Sequence, residues 1–110
     1  MKRKLVALLA VVALGVAVVP VAFAASVGVT GKEFKFSLST KTVKHGKVTF
    51  KLTNKGKLKH DFKIAGKKTK LVSPGKSASV TVTLKRGKYS YICTVPGHAA
   101  AGMKGSLKVS

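Results

Sequence analysis

The hydrophobic pattern of this chain changes character once, near residue 25. From Leu5 to Ala25 every residue is apolar or small and none is charged. Beyond that point apolar side chains mostly occupy alternate positions. "KEFKFSL" (32–38) and "KVTFKL" (47–52) interleave apolar with charged or polar residues. "DFKIA" (61–65), "SASVTVTL" (77–84), "KYSYIC" (88–93) and "GSLKVS" (105–110) keep the same period of two. That period turns one face of an extended chain toward a core and the other toward water. Turn signals fall between these runs: "KHGK" (44–47), "NKGK" (54–57), "AGKK" (65–68), "SPGK" (73–76) and "KRGK" (85–88). Valine and threonine are frequent, which suits pleated strands, and no helical apolar stripe follows the first segment. Six or seven short strands at this spacing predict an all-β fold, an antiparallel β-sandwich or barrel.

The uncharged first segment is of a different kind. "MKRK" is a basic start, the run after it is apolar, and "AFAA" offers a cleavage point after Ala24. That order of parts describes a secretory signal peptide. Its rival is an uncleaved membrane anchor, since the 21 residues from Leu5 to Ala25 are long enough to span a bilayer. Pro20 and the small residues near Ala24 favour cleavage, and no cysteine stands there to carry a lipid. The expected organisation is a leader over 1–24 and one domain over 25–110. The expected location is outside the cytoplasm: periplasmic, or at the cell surface if the leader is retained.

Charge narrows the partners. Of 22 Lys and Arg, three (Lys2, Arg3, Lys4) lie in the leader, leaving nineteen against Glu33 and Asp61 and a net charge of +17. Such an imbalance steers acidic partners without bearing on the fold. Export and the lack of an aromatic-rich stacking platform argue against nucleic acid. Anionic envelope polymers, anionic lipid headgroups or an acidic protein suit it better. Most of the lysines also have a plainer role, since charge on strands keeps sheet edges from pairing with other chains.

The remaining chemistry gathers in "YICTVPGHAAAGMKG" (91–105), which holds the only cysteine of the chain. An exported cysteine without a partner cannot form an internal disulfide. Cys93, His98 and Met103 follow one another as C-x4-H-x4-M at the end of a strand and in the loop after it. Pro96, Gly97 and Gly102 let that loop fold tightly. Thiolate, imidazole and thioether are soft donors, and with a second imidazole they suit copper in a trigonal His2Cys arrangement with a weak axial methionine. His60, which opens "HDFKIA", is the candidate for that imidazole if its strand lies beside the last two. A plainer account exists for each residue, since a lone cysteine or methionine is usually core filler. His45, in "KHGK", reads as a residue of a charged turn.

"GKYSYICTVPGHAAAGMKGSLKV" together with "NKGKLKHDF" resembles the cupredoxins, the small blue copper proteins related to plastocyanin, auracyanin and amicyanin. The resemblance spans essentially the whole chain after the leader. It implies a Greek-key β-sandwich with one type-1 copper site, ligated by His60, Cys93, His98 and, axially, Met103. It departs from the family in two places. Asp61 stands where asparagine is frequent, and it is expected to accept a hydrogen bond from the Thr94 hydroxyl and so tie the two ligand segments. Ile92 stands where plastocyanins often carry an exposed tyrosine, which leaves His98, among Ala99, Ala100 and Ala101, as the expected electron port with an exposed ring edge.

The implied function is one-electron transfer by copper cycling, in a monomer whose basic surface meets redox partner proteins that carry an acidic docking surface. Copper storage, delivery or resistance would use the same ligands without cycling. A basic cell-surface binding module on the same scaffold is a third reading. An enzyme is not expected: a Cys93–His98 hydrolase lacks an orienting Asp or Asn at an evident position, and three histidines in all cannot supply a multicopper oxidase.

Overall fold

The computed structural model describes residues 24–110; the expected leader, apart from its last residue, lies outside the described residues. Nine strands make up the regular structure, and no helix occurs among the described residues. They are β1 (Ala24–Lys32), β2 (Lys35–Leu38), β3 (Thr42–Val43), β4 (Gly46–Asn54), β5 (Lys63–Ile64), β6 (Lys67–Lys68), β7 (Ser77–Leu84), β8 (Gly87–Ile92) and β9 (Lys104–Val109). One sheet has the order β2-β1-β4-β7 and the other β3-β9-β8-β5-β6. The expected all-β sandwich is thus what the chain forms.

Two pairings differ from the antiparallel expectation: β1 runs parallel to β4, and β3 parallel to β9. Parallel neighbours need a crossover between them, and residues 33–45 supply it by leaving the first sheet at β2 and joining the edge of the second at β3. β1 itself was not expected, because Gly28 and Gly31 weaken its strand signal. Its inward positions, Val27 and Val29, nonetheless keep the period of two. The run 32–38, read as one strand, is broken at Glu33 and Phe34, which form the turn of the β1–β2 hairpin between Lys32 and Lys35. Ala24 opens β1 opposite Lys47.

The core forms where the inward positions of the two sheets meet. Val48, Phe50 and Leu52 on β4 and Val82 and Leu84 on β7 face Phe62, Ile64, Tyr91, Leu107 and Val109 of the second sheet. Phe62 is its centre, with ring centroids 5.2 Å from Phe50, 5.3 Å from Phe36 and 5.3 Å from Tyr91. These aromatic contacts bolt one sheet to the other, and such pairs add to the energy of burial itself. Outward positions take the charge: all nineteen Lys and Arg side chains after residue 24 are exposed.

The strand expected to begin at His60 is shorter than the alternation suggests and does not include that residue. Only Lys63 and Ile64 pair with β8. Ahead of them the Phe62 amide donates to Thr69 Oγ1 and His60 exchanges backbone hydrogen bonds with Val72. The ladder gives way there to contacts that brace one end of the sandwich.

Phe62→Ala is expected to lower the unfolding free energy of the metal-free protein by about 3–5 kcal/mol in urea titration. Lys51→Ala, on the outward face of β4, is expected to change it by less than about 0.5 kcal/mol.

Candidate metal centre

Strand parity explains how the donors come to one place. On β8 the inward residues are Tyr89 and Tyr91, and Cys93, next in that series, is fully buried. Phe62 and Ile64 are inward around β5, and two residues before Phe62 the same parity buries His60 completely. Leu107 and Val109 are inward on β9, and counting back by twos reaches Gly105 and then buried Met103. β9, β8 and β5 are neighbours, with β8 antiparallel to both. The start of β9, the end of β8 and the approach to β5 therefore share one end and one face of the sheet.

The loop between β8 and β9 adds His98. Its backbone is closed by hydrogen bonds from the His98 amide to Val95 O, from the Met103 amide to His98 O and from the Cys93 amide to Met103 O, each 3.0 Å. Gly102 has a φ of +124°, and a side chain there would meet Phe34 O at 2.9 Å, so the loop needs glycine where it passes the β1–β2 turn.

The resulting geometry is compact. His60 Nδ1 and His98 Nδ1 are 3.1 Å apart, and Cys93 Sγ lies 3.9 Å from the first and 3.5 Å from the second. All three donor atoms fall within 4.8 Å of one another. His60 and Cys93 are 0 % exposed and His98 is 8 %. Burial pushes the Cys93 thiol pKa up. The His60 Nε2–H donates to the Glu33 carboxylate at 2.6 Å, so a neutral His60 presents a lone pair at Nδ1. Buried lone pairs and a thiol turned toward one another are costly unless a proton or cation lies among them. Two imidazoles and a thiol are also soft donors of the type that copper takes, so the residues present fit that metal.

Asp61 and Thr94 lie beside this cluster. Asp61 Oδ1 accepts the Thr94 amide at 2.6 Å and Oδ2 accepts the Thr94 hydroxyl at 2.5 Å, which links the segment of His60 to that of Cys93. His45 lies apart, with its Nδ1 bonded to Ser110 O at 2.9 Å.

Three residues of the centre were not singled out from the sequence. Glu33 reaches across from the β1–β2 turn to His60 and also accepts the Lys57 amide at 2.8 Å and the Leu58 amide at 3.1 Å. The Lys57 hydrogen bond, followed by those of His60 and Leu58, holds its carboxyl down at about pKa 2. Asn54 is fully buried and donates to Leu58 O at 2.7 Å and Val72 O at 2.9 Å, so it shapes the segment leading to His60. Phe34 packs edge-on against the His98 ring at 5.1 Å between centroids. His98, expected to present an exposed ring edge, is instead buried at 8 % exposure, with the Phe34 ring packed against it from the β1–β2 turn. "EF" in 33–34 carried no turn signal, and Asn54 looked like the first residue of an ordinary turn.

Comparison with known proteins agrees with this picture. In structure the chain is similar to auracyanin B at a TM-score of 0.70 and 23 % identity, over 84 % of this chain and 93 % of that one. Auracyanin A, a "blue" copper protein of the green thermophilic photosynthetic bacterium Chloroflexus aurantiacus, aligns at a TM-score of 0.67 and 23 % identity, over 80 % of this chain and all of that one. At these identities the likeness speaks for the fold. In sequence, 43 residues are 54 % identical to auracyanin-B of Chloroflexus aurantiacus; the stretch is 38 % of this chain and 18 % of that protein. Residues 30–110 match the family described as copper binding proteins, plastocyanin/azurin family. That span takes in Glu33, His60, Cys93, His98 and Met103, and the chain belongs to the plastocyanin/azurin family of copper binding proteins.

Proposed function

We propose that this protein is an exported one-electron carrier in which His60 Nδ1, Cys93 Sγ, His98 Nδ1 and the Met103 thioether would hold a copper ion. The observation that carries the reading is the convergence of two imidazole nitrogens and a thiol, within 4.8 Å and almost wholly buried, in a member of a copper binding family. When bound, copper supplies a Cu(I)/Cu(II) couple tuned by its ligands and their surroundings.

The chain's own residues supply rigidity and access. Both ligand segments are braced from outside, by Asp61 on Thr94 and by Asn54 on the backbone before His60. A braced donor set moves little between oxidation states, which keeps reorganisation small. Burial keeps water from the thiolate. His98 is nearest the surface, with Phe34 over its ring. Phe34, Leu58 and Leu71 are the large apolar side chains exposed among the described residues, at 39 %, 47 % and 50 %. All three lie on segments that touch the histidines: Phe34 packs on His98, Leu58 is anchored by Glu33, and Leu71 precedes the Val72 bridge to His60. Exposed lysines 32, 35, 55, 57, 59 and 70 flank them in sequence. Exposed apolar side chains on the segments next to the histidines, with lysines neighbouring them in sequence, suit brief docking to an acidic redox protein. The monomeric state and a location outside the cytoplasm, at the cell surface if the leader stays in place, belong to the same proposal. They rest on the sequence of the leader and on the sandwich being a self-contained unit.

Adding Cu(II) to the purified domain is expected to produce an intense thiolate-to-copper band in the visible spectrum, lost in Cys93→Ala. Stoichiometric copper without that band would overturn the ligand assignment, and an irreversible couple in voltammetry would favour copper handling over electron transfer. Because burial raises the Cys93 pKa, the metal-free protein holds a thiol that must lose its proton to ligate. The apparent copper affinity should therefore rise with pH, by up to about tenfold per unit below that pKa, with proton release visible in calorimetry across buffers. Association with an acidic redox protein should slow as ionic strength rises, in stopped-flow measurements.

A further inference from the structure

We propose that Glu33 is a positioning residue of the metal centre: its carboxylate holds His60 Nε2–H, commits His60 Nδ1 to the metal, and biases the centre toward the oxidised ion. This rests on the ligand set of the preceding section.

Glu33 sits at the tip of the β1–β2 hairpin, away in sequence from every proposed ligand. Its two oxygens accept from three donors on one short segment: the Lys57 amide at 2.8 Å, the Leu58 amide at 3.1 Å and His60 Nε2 at 2.6 Å. The receiving segment is shaped for it. A side chain at Gly56 would collide with the carboxylate, so the glycine leaves room for the acid. The ring of His60 is thus gripped at Nε2 by Glu33, while its backbone is bonded on both sides to Val72. A histidine held at one nitrogen by a carboxylate presents the other as a lone pair in a set direction, and the carboxylate makes that nitrogen more basic. Here the direction is toward His98 Nδ1 and Cys93 Sγ.

Charge placement makes the same point independently. Among the described residues the chain has nineteen cationic side chains and two acidic ones. Glu33 holds His60, and Asp61 holds the residue after Cys93. A chain that needed acids only to dilute its surface charge would leave them exposed among lysines, whereas both are bound at the metal end of the sandwich. Glu33 is partly screened by water, its side chain being 24 % exposed. A negative charge one imidazole away from the metal stabilises the more highly charged oxidation state and so lowers the reduction potential.

The same turn carries a second contact to the centre, since Phe34 packs on His98. One hairpin tip therefore touches both histidines, by a hydrogen-bonded charge on one and an aromatic edge on the other. Glu33 is the part whose removal separates positioning from mere bracing.

Glu33→Gln keeps an acceptor for Nε2–H and removes the charge; Glu33→Ala removes both. In the copper-loaded protein, Glu33→Gln should reduce the preference for Cu(II) over Cu(I) about tenfold, a rise in midpoint potential of about 59 mV for a one-electron couple. In the metal-free protein, nitrogen-15 NMR of the imidazoles should show His60 as a single Nε2–H tautomer in the wild type and in Glu33→Gln, and a tautomer mixture in Glu33→Ala. An unmoved or lowered midpoint in Glu33→Gln, or a single Nε2–H tautomer persisting in Glu33→Ala, overturns the proposal even if both variants melt at lower temperature. If the wild type takes up copper without a thiolate band, the ligand set fails instead, and the tautomer measurement still decides whether Glu33 positions His60.

Discussion

Buried donors facing one another set the terms for the rest of this structure. Two imidazole nitrogens 3.1 Å apart and a thiol 3.5–3.9 Å from them form an arrangement that an unbraced chain would relax. Everything at that end of the sandwich opposes relaxation. The Cys93 amide is tied to Met103, the Met103 amide to His98, and the backbone of His60 to Val72. Asp61, Asn54 and Glu33 then fasten the loops to each other from outside. Asp61 and Asn54 do this from buried positions, where hydrogen bonds are stronger and an unmet one is costly, and Glu33 from a partly exposed one.

The aromatic core beneath the centre serves the same end. Phe62 lies two residues after His60 and touches Tyr91, which lies two residues before Cys93. The packing that joins the sheets is therefore continuous with the strands that carry the donors. Shifting either strand by one residue would expose a donor and bury a lysine, so the hydrophobic register also protects the metal register. Charge is distributed by the same logic. Cations take the outward positions, where they cost little, and the two acids go where their hydrogen bonds are used.

Sequence and structure divide the information along a physical line. A period of two is a local property, so most strands, the inward side of each and the burial of Phe50, Phe62 and Tyr91 could be read directly. The loop 93–103 is also local, because eleven residues with Gly97 and Gly102 can bring a thiol and an imidazole together without help from elsewhere. His60 required the further assumption that the strand after it lies beside the last two; in the sheet β5 pairs with β8, and β9 lies on the far side of β8. β1 was masked by its glycines, and with it the hairpin turn at Glu33 and Phe34.

By itself, then, the sequence determined the all-β class, the inward faces and the residue types available for soft-metal chemistry, since alternation and residue chemistry need no partner segment to be read. Only the tertiary structure decided that β1 and β4 run parallel, that Glu33 reaches His60 across twenty-seven residues of chain, and that Phe34 closes over His98. Contacts of that kind depend on which loops the two sheets bring to the same end. That placement is set by the packing of the whole sandwich, and no short stretch of the chain contains it.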